Sequence, residues 1–210
     1  EYYANCTWFD DAVGDLIAYL KKNRLFDNTL FIYVNDNGWE QETEQEFIND
    51  PMRSHNGGDK GKLSLYDLSF RTPIIFSWKN HIKPNVRMED LVHSTDIPAT
   101  ILDIVNLEKE EDYFGRSLKN QIMKGKQGTR KRIIGKSKKI RDDNDPMGKD
   151  VEAYWTRENE WFYSLNKTDN VELLFDVAKD PLCNFDLSTK YPELVSGFRD
   201  KIESEYKEND

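Results

Sequence analysis

The chain has 210 residues, enough for one ordinary domain or one domain with a small appendage, and its 37% hydrophobic and 33% charged content is polar for a globular protein. An aromatic content of 12% argues against disorder, and a net charge of −9 argues against nucleic-acid binding through a global positive field. No apolar run approaches the roughly 18 residues of a membrane span, and the start Glu1-Tyr2-Tyr3-Ala4 lacks Met and the basic region of a signal peptide, so the sequence reads as a soluble piece of something longer.

Residues 6–24 predict a helix, because Cys6, Phe9, Val13, Leu16, Ile17 and Leu20 recur at helical spacing and form one apolar stripe. Asp10 and Asp11 lie early in it and Lys21, Lys22 and Arg24 late, which suits the helix dipole. After a turn at Asp27-Asn28, residues 29–34 (TLFIYV) read as a strand. The run is nearly continuous in apolar residues, the mark of a strand covered on both faces, usually in a parallel sheet. It leads directly into Asn35-Asp36-Asn37-Gly38, and in open α/β sheets ligands bind outside the carboxyl ends of strands.

A polar loop follows over about residues 39–61, containing Pro51, His55 and Asn56-Gly57-Gly58, of a length that is usually functional or mobile. Residues 73–78 (PIIFSW) read as a second buried strand, and residues 93–106 as a helix with Ser94 or Asp96 as cap and Pro98 in its first turn. Residues 124–141 carry many Lys and Arg, the pattern of a solvated charged face. Residues 151–156, 161–165 and 171–177 predict a β-meander with turns at 157–160 and 166–170, and a last helix starts near Pro192 with Leu194, Val195, Phe198 and Ile202 on one face. Cys6 and Cys183 lack CxxC spacing, so zinc is not indicated; isolated buried thiols are a simpler reading than a disulfide. Sequons occur at Asn5 and Asn166, and they matter only in a eukaryotic secretory protein.

Three places offer chemistry. Asp36 and Asn37 present hard oxygen donors suited to calcium or magnesium, although Asp-Asn-Gly is also a common turn. Lys62, in Gly61-Lys62-Leu63-Ser64-Leu65-Tyr66-Asp67, could hold an oxyanion as a point charge, although a lone lysine is most simply a surface residue. His55 could bind a substrate oxygen or move a proton, or simply be exposed. Arg71, just before a strand, suits a pairing with an internal carboxylate; His93 suits a local hydrogen-bonding role, and His81 exposure.

In order, DDAVGDLIAYL, DNTLFIYVNDNGW, GKLSLYDLSFRTPIIFSW, HIKP, DLVHSTDIPATILDIV and FGRSLKNQI make a distinctive series. Together they resemble the C-terminal half of the type I, formylglycine-dependent sulfatase family of the alkaline-phosphatase-like superfamily. Residues 174–181 (LFDVAKDP) are similar to the segment near that family's end. The resemblance implies an α/β fold. Residues 1–125 would be the C-terminal half of a mixed sheet flanked by helices, and residues 126–210 a small antiparallel subdomain with a closing helix. It implies that Asp36 and Asn37 bind one divalent cation, usually calcium, and that Lys62 contacts the sulfate of a sulfated small molecule or glycan. A role for His55 in substrate binding is the remaining candidate.

The family's nucleophile, a formylglycine made within C/S-x-P-S-R, has no counterpart here: Cys6 sits in Asn-Cys-Thr-Trp-Phe, and the family's early Asp pair is also absent. The sequence is therefore expected to be part of a protein more than twice as long, inactive alone and partnered by the N-terminal part of the same protein. Most relatives are exported or lysosomal, and the same is expected here. The alternatives are a phosphatase, phosphodiesterase or phosphonate hydrolase of the same superfamily, and a non-catalytic module whose residues 124–141, Lys136, Lys138 and Lys139 among them, bind a polyanion.

Overall fold

The structure, a computed structural model, describes residues 2–38, 60–61, 64–108, 114–139 and 151–207. They group into two units, one of Glu1–Val34, Pro73–Asp90 and Ser94–Gly128, the other of Asn35–Thr72, Leu91–His93 and Thr129–Asp210. Among the described residues no helix is long and apolar enough to cross a membrane.

In the first unit, helix α1 spans Tyr2–Lys22. It starts earlier than the stripe predicts, so Asp10 and Asp11 fall outside its first turn, while Lys21 and Lys22 do occupy its last turn. Arg24 ends it in the left-handed region, at φ 59°, and the Leu25 N–H reaches back to the Leu20 carbonyl at 2.9 Å. Val13, Ile17 and Leu20 are half-buried, but Cys6, Phe9 and Leu16 are exposed, so only part of the predicted stripe is covered within this unit.

A 3-10 turn, Phe26–Asn28, leads to β1, Phe31–Val34, which pairs antiparallel with β2, Ile74–Ser77. The expectation of parallel neighbours is therefore corrected for this pair. An apolar run records that both faces favour cover and says nothing of the partner's direction. Tyr33, Val34 and Ile75 are exposed here, so the expected two-faced burial is also not seen within this unit.

Helix α3, Asp96–Ile104, is shorter than predicted, and its N-cap is Thr95 without a side-chain cap bond. Asp96, fully buried, instead accepts the Arg116 N–H at 2.9 Å. Thr100, one turn on, accepts the Leu118 N–H at 2.9 Å, and Asp103 accepts from the Ser117 hydroxyl at 2.5 Å and from Lys119 at 3.1 Å. The D-x-P-x-T-x-L-D segment of residues 96–103 and the G-R-S-L segment of residues 115–118 are thus bonded residue to residue. Gly115 is required by the same contact, since a Cβ there would meet the Thr95 carbonyl oxygen at 1.9 Å. A short helix α4, Lys119–Lys124, follows.

The second unit is built on a four-stranded antiparallel sheet in the order β3-β4-β5-β6: Arg132–Lys139, Val151–Glu158, Trp161–Asn166 and Val171–Asp176. Three strands match the predicted meander. The fourth, β3, comes from the basic stretch, so the reading of that stretch as only a solvated face is corrected. An edge strand rich in Lys resists pairing with other chains, and Lys136 is engaged, 3.1 Å from Glu152 and over the Tyr154 ring.

Alternation along the strands sorts their side chains onto two faces. Tyr154, Tyr163, Leu165 and Leu174 pack with Val195, Phe198 and Ile202 of the last helix, α5, Pro192–Lys207. Leu194 is exposed and leaves the predicted face. Arg199 clasps Glu172 on β6 through Nε at 2.8 Å and Nη2 at 2.5 Å, and the buried Tyr163 hydroxyl donates to the same carboxylate. The opposite face, Phe162, Phe175, Trp155 and Leu173, carries Val177, Cys183, Tyr66 and Phe70. The sheet is therefore covered by α5 on one side and by residues 66–70 on the other. Both thiols are free; Cys183 is buried, as read from sequence, and Cys6 is exposed.

Candidate functional site

Asp36 and Asn37 follow β1 directly. The Asn37 N–H donates to Asp36 Oδ1 at 3.0 Å, and the Asn37 side-chain amide donates to the Gly38 carbonyl at 2.8 Å. This is the geometry of a local polar turn. Among the described residues, no hydrogen bond reaches Asp36 Oδ2 or Asn37 Oδ1. Asp36 is exposed and Asn37 half-buried.

Gly38 pins this turn. Its N–H donates to the Ser69 carbonyl at 2.9 Å, and a Cβ on it would lie 1.9 Å from the Leu68 carbonyl oxygen. Only glycine allows that approach of two backbones. Ser69 belongs to a one-turn helix, α2, Asp67–Phe70, in the segment that also contains the Lys62 motif.

That segment is itself fastened to the C-terminal sheet. Phe70 stacks on Trp155 at 4.6 Å between ring centres, and Tyr66 lies 5.5 Å from Phe175. Lys60 donates to the carbonyls of Leu182 and Cys183 at 3.1 and 2.7 Å and to Asn184 Oδ1 at 2.8 Å. Arg71 donates to the Pro181 carbonyl at 3.2 Å and lies 3.0 Å from Asp67 Oδ2, the internal pairing expected of it, though without hydrogen-bond alignment to that oxygen. Arg157 on β4 approaches Asp67 Oδ1 at 4.0 Å. Burial pushes the Asp67 carboxyl above its usual value, and the flanking Arg71 and Arg157 charges pull it back down. Burial likewise pushes the Cys183 thiol up to about 11, so it stays protonated at neutral pH.

Lys62 and His55 lie outside the described residues. Among the described residues no group of three or more His, Cys, Asp or Glu gathers to hold a metal. Asp36 and Asn37 bring one carboxylate and one amide carbonyl. That donor type fits a hard divalent cation, as two of the roughly six to eight oxygens that calcium takes. Nothing in the sequence alone assigns a role to Asp67, Lys60 or Arg157. Asp67 is signalled by the Gly61–Asp67 motif, but Arg157 is 90 residues further on, in a segment that predicts a turn. His81 is exposed, as expected, and stacks on Trp78 at 4.0 Å.

Comparison with known proteins gives this geometry a family. Residues 1–107 match the profile described as Sulfatase, and residues 58–208 the one described as N-sulphoglucosamine sulphohydrolase, C-terminal. The chain belongs to the sulfatase family. Arylsulfatase K of Bos taurus is 26% identical over 97% of this chain and 35% of its own length. N-acetylgalactosamine-6-O-sulfatase of Bacteroides thetaiotaomicron is also 26% identical, over 93% of this chain and 40% of its own length. Among solved structures, yidJ of Bacteroides fragilis superposes with a TM-score of 0.76 at 26% identity, covering 98% of this chain and 41% of that one. This sulfatase chain thus spans 35% to 41% of the length of these relatives. It is a mixed α/β chain of small antiparallel sheets and helices that matches part of a sulfatase structure.

Proposed function

We propose that this chain is the C-terminal part of an enzyme that hydrolyses sulfate esters on a sulfated carbohydrate. In this reading Asp36 and Asn37 are ligands of one calcium ion and Lys62 contacts the sulfate, with His55 a further substrate contact. The formylglycine nucleophile and the other metal ligands come from the N-terminal part of the same protein. The exposed Tyr33, Val34 and Ile75 side chains support a larger, alkaline-phosphatase-like mixed sheet, since apolar strand residues favour cover. The observation that carries the site is the oxygen pair Asp36–Asn37, held against the motif segment by the Gly38–Ser69 bond. A relative that acts on N-acetylgalactosamine 6-O-sulfate supports the carbohydrate.

When bound, calcium would lower the cost of negative charge on oxygens in the site. The chain's own part is to hold that cation: Asp36 brings the charge, and Asn37 adds a neutral oxygen, which suits a site with a single cation. Lys62 would offset charge on the sulfuryl oxygens.

The test is sulfate release from a 6-O-sulfated amino sugar and from an aryl sulfate by the complete polypeptide, with Asp36→Ala beside it. Loss of the cation's share is expected to lower kcat/KM about a thousandfold, a barrier increase of several kcal/mol. The 210-residue chain alone is expected to give no turnover. An active Asp36→Ala variant would refute the ligand assignment. Faster hydrolysis of the matching phosphate ester would favour a phosphatase, and turnover by the chain alone would refute an external nucleophile.

A further inference from the structure

We propose that the C-terminal sheet is the platform that holds the cation-binding turn in register, and that Arg157 on β4 is a positioning residue acting through Asp67. This rests on the reading of Asp36 and Asn37 as cation ligands.

The path is short and continuous. Arg157 is steadied on the sheet by a bond from its Nη1 to the Trp161 carbonyl at 3.2 Å, and its Nε faces Asp67 Oδ1 at 4.0 Å. The Asp67 side chain is only 9% exposed. It opens α2, whose Ser69 carbonyl takes the Gly38 N–H at 2.9 Å, one residue after Asn37. Every link lies in one structural unit, in which residues 35–72 cluster with the sheet 60 and more residues downstream. The Lys60 and Arg71 bonds to the carbonyls of residues 181–183 and the Phe70–Trp155 stack fasten the same segment to the same sheet.

The charges at this junction add something that packing alone does not. A buried carboxylate between two guanidiniums has a preferred direction, because turning it away from Arg157 leaves a desolvated charge less well compensated. The aromatic contacts fix how closely α2 sits on the sheet, and the ion pair fixes its rotation and slide. A cation site needs this, because groups that orient ligands without touching the metal typically change affinity about 10- to 100-fold. An ion pair of stability alone would raise the unfolding temperature and leave cation affinity untouched.

The experiment measures calcium affinity by titration calorimetry in the complete polypeptide, well below the unfolding temperature found by circular dichroism. Wild type is compared with Asp36→Ala, Arg157→Met, Arg157→Lys and Asp67→Asn. Asp36→Ala is expected to abolish binding. Arg157→Met and Asp67→Asn are expected to weaken it about 10- to 100-fold while remaining folded. Arg157→Lys, which keeps the charge, recovers most of the affinity, and Arg157→Met combined with Asp67→Asn is no weaker than the worse single variant. If Arg157→Met fails to fold, the isosteric Asp67→Asn carries the comparison. Wild-type affinity in Arg157→Met and Asp67→Asn, with binding abolished in Asp36→Ala, would overturn the positioning role alone. Unchanged affinity in Asp36→Ala would overturn the ligand reading and the positioning role together.

Discussion

Gly38→Ala is the smallest change that separates the turn from its support. The added methyl would sit 1.9 Å from the Leu68 carbonyl oxygen and 2.8 Å from the carbonyl carbon and oxygen of Ser69. These are backbone atoms of α2 and cannot swing aside as a side chain can. Either the turn lifts away or α2 shifts on Trp155 and Phe175. Overpacking of this kind costs about 1–3 kcal/mol. Losing the Gly38–Ser69 hydrogen bond adds about 0.5–1.5 kcal/mol, so the variant is expected to lose about 1.5–4.5 kcal/mol. The assay is urea unfolding of the complete polypeptide followed by tryptophan fluorescence, with and without calcium. At calcium about a hundredfold over Kd the wild type gains about 2.7 kcal/mol by mass action. Gly38→Ala is expected to lose most of that gain, because the displaced residue adjoins Asn37. A variant with the wild-type midpoint and the wild-type response to calcium would refute the account of Gly38 as the clamp on this turn.

Two further outcomes follow from the C-terminal sheet. Phe198, 4% exposed and 5.8 Å from the Tyr163 ring, fills the centre of the face under α5, so Phe198→Ala is expected to cost about 3–5 kcal/mol; a urea midpoint close to wild type would contradict that packing. Glu172 is held below its usual 4.5 by hydrogen bonds from Arg199, opposed by burial and assisted by Tyr163. Its folded value lies under its unfolded value, so its stabilising contribution is complete above pH 4.5 and fades as pH falls through the lower folded value. The gap in urea midpoint between wild type and Glu172→Gln should therefore close with acid below pH 4.5, and a constant gap would remove Glu172 as its source.

The elements that sequence reveals well are those with a strong local period. The meander of β4, β5 and β6 and the α5 face of Val195, Phe198 and Ile202 are legible because alternation by two and spacing by three or four are properties of neighbouring residues. Strand β3 is hidden, because a segment rich in Lys and Arg looks the same on an edge strand as on a solvated loop. The start of α1 is not legible because its first residues, Tyr2 to Asn5, carry no periodic signal. The direction of the β1–β2 pair was not legible either, since a continuous apolar run is compatible with both pairings.

What this sequence determines by itself is the family and the order of its parts. Six segments in series carry that information, and residues 1–107 and 58–208 match sulfatase profiles. Residue type also bounds the chemistry, because the atoms that Asp36 and Asn37 could offer a cation are hard oxygens wherever they lie. The tertiary structure decided why those segments belong together. Asp96, Thr100 and Asp103 meet Arg116, Leu118 and Ser117, and Asp67 meets Arg157, 90 residues away. Such pairings depend on through-space distance and on the penalty for leaving a buried polar group unmatched, and neither is written in the spacing of residues along the chain. The turn Asp36-Asn37-Gly38 shows both sides: its residue types announce a polar turn, and only the approach of the Leu68 and Ser69 backbone shows why its last residue has no side chain.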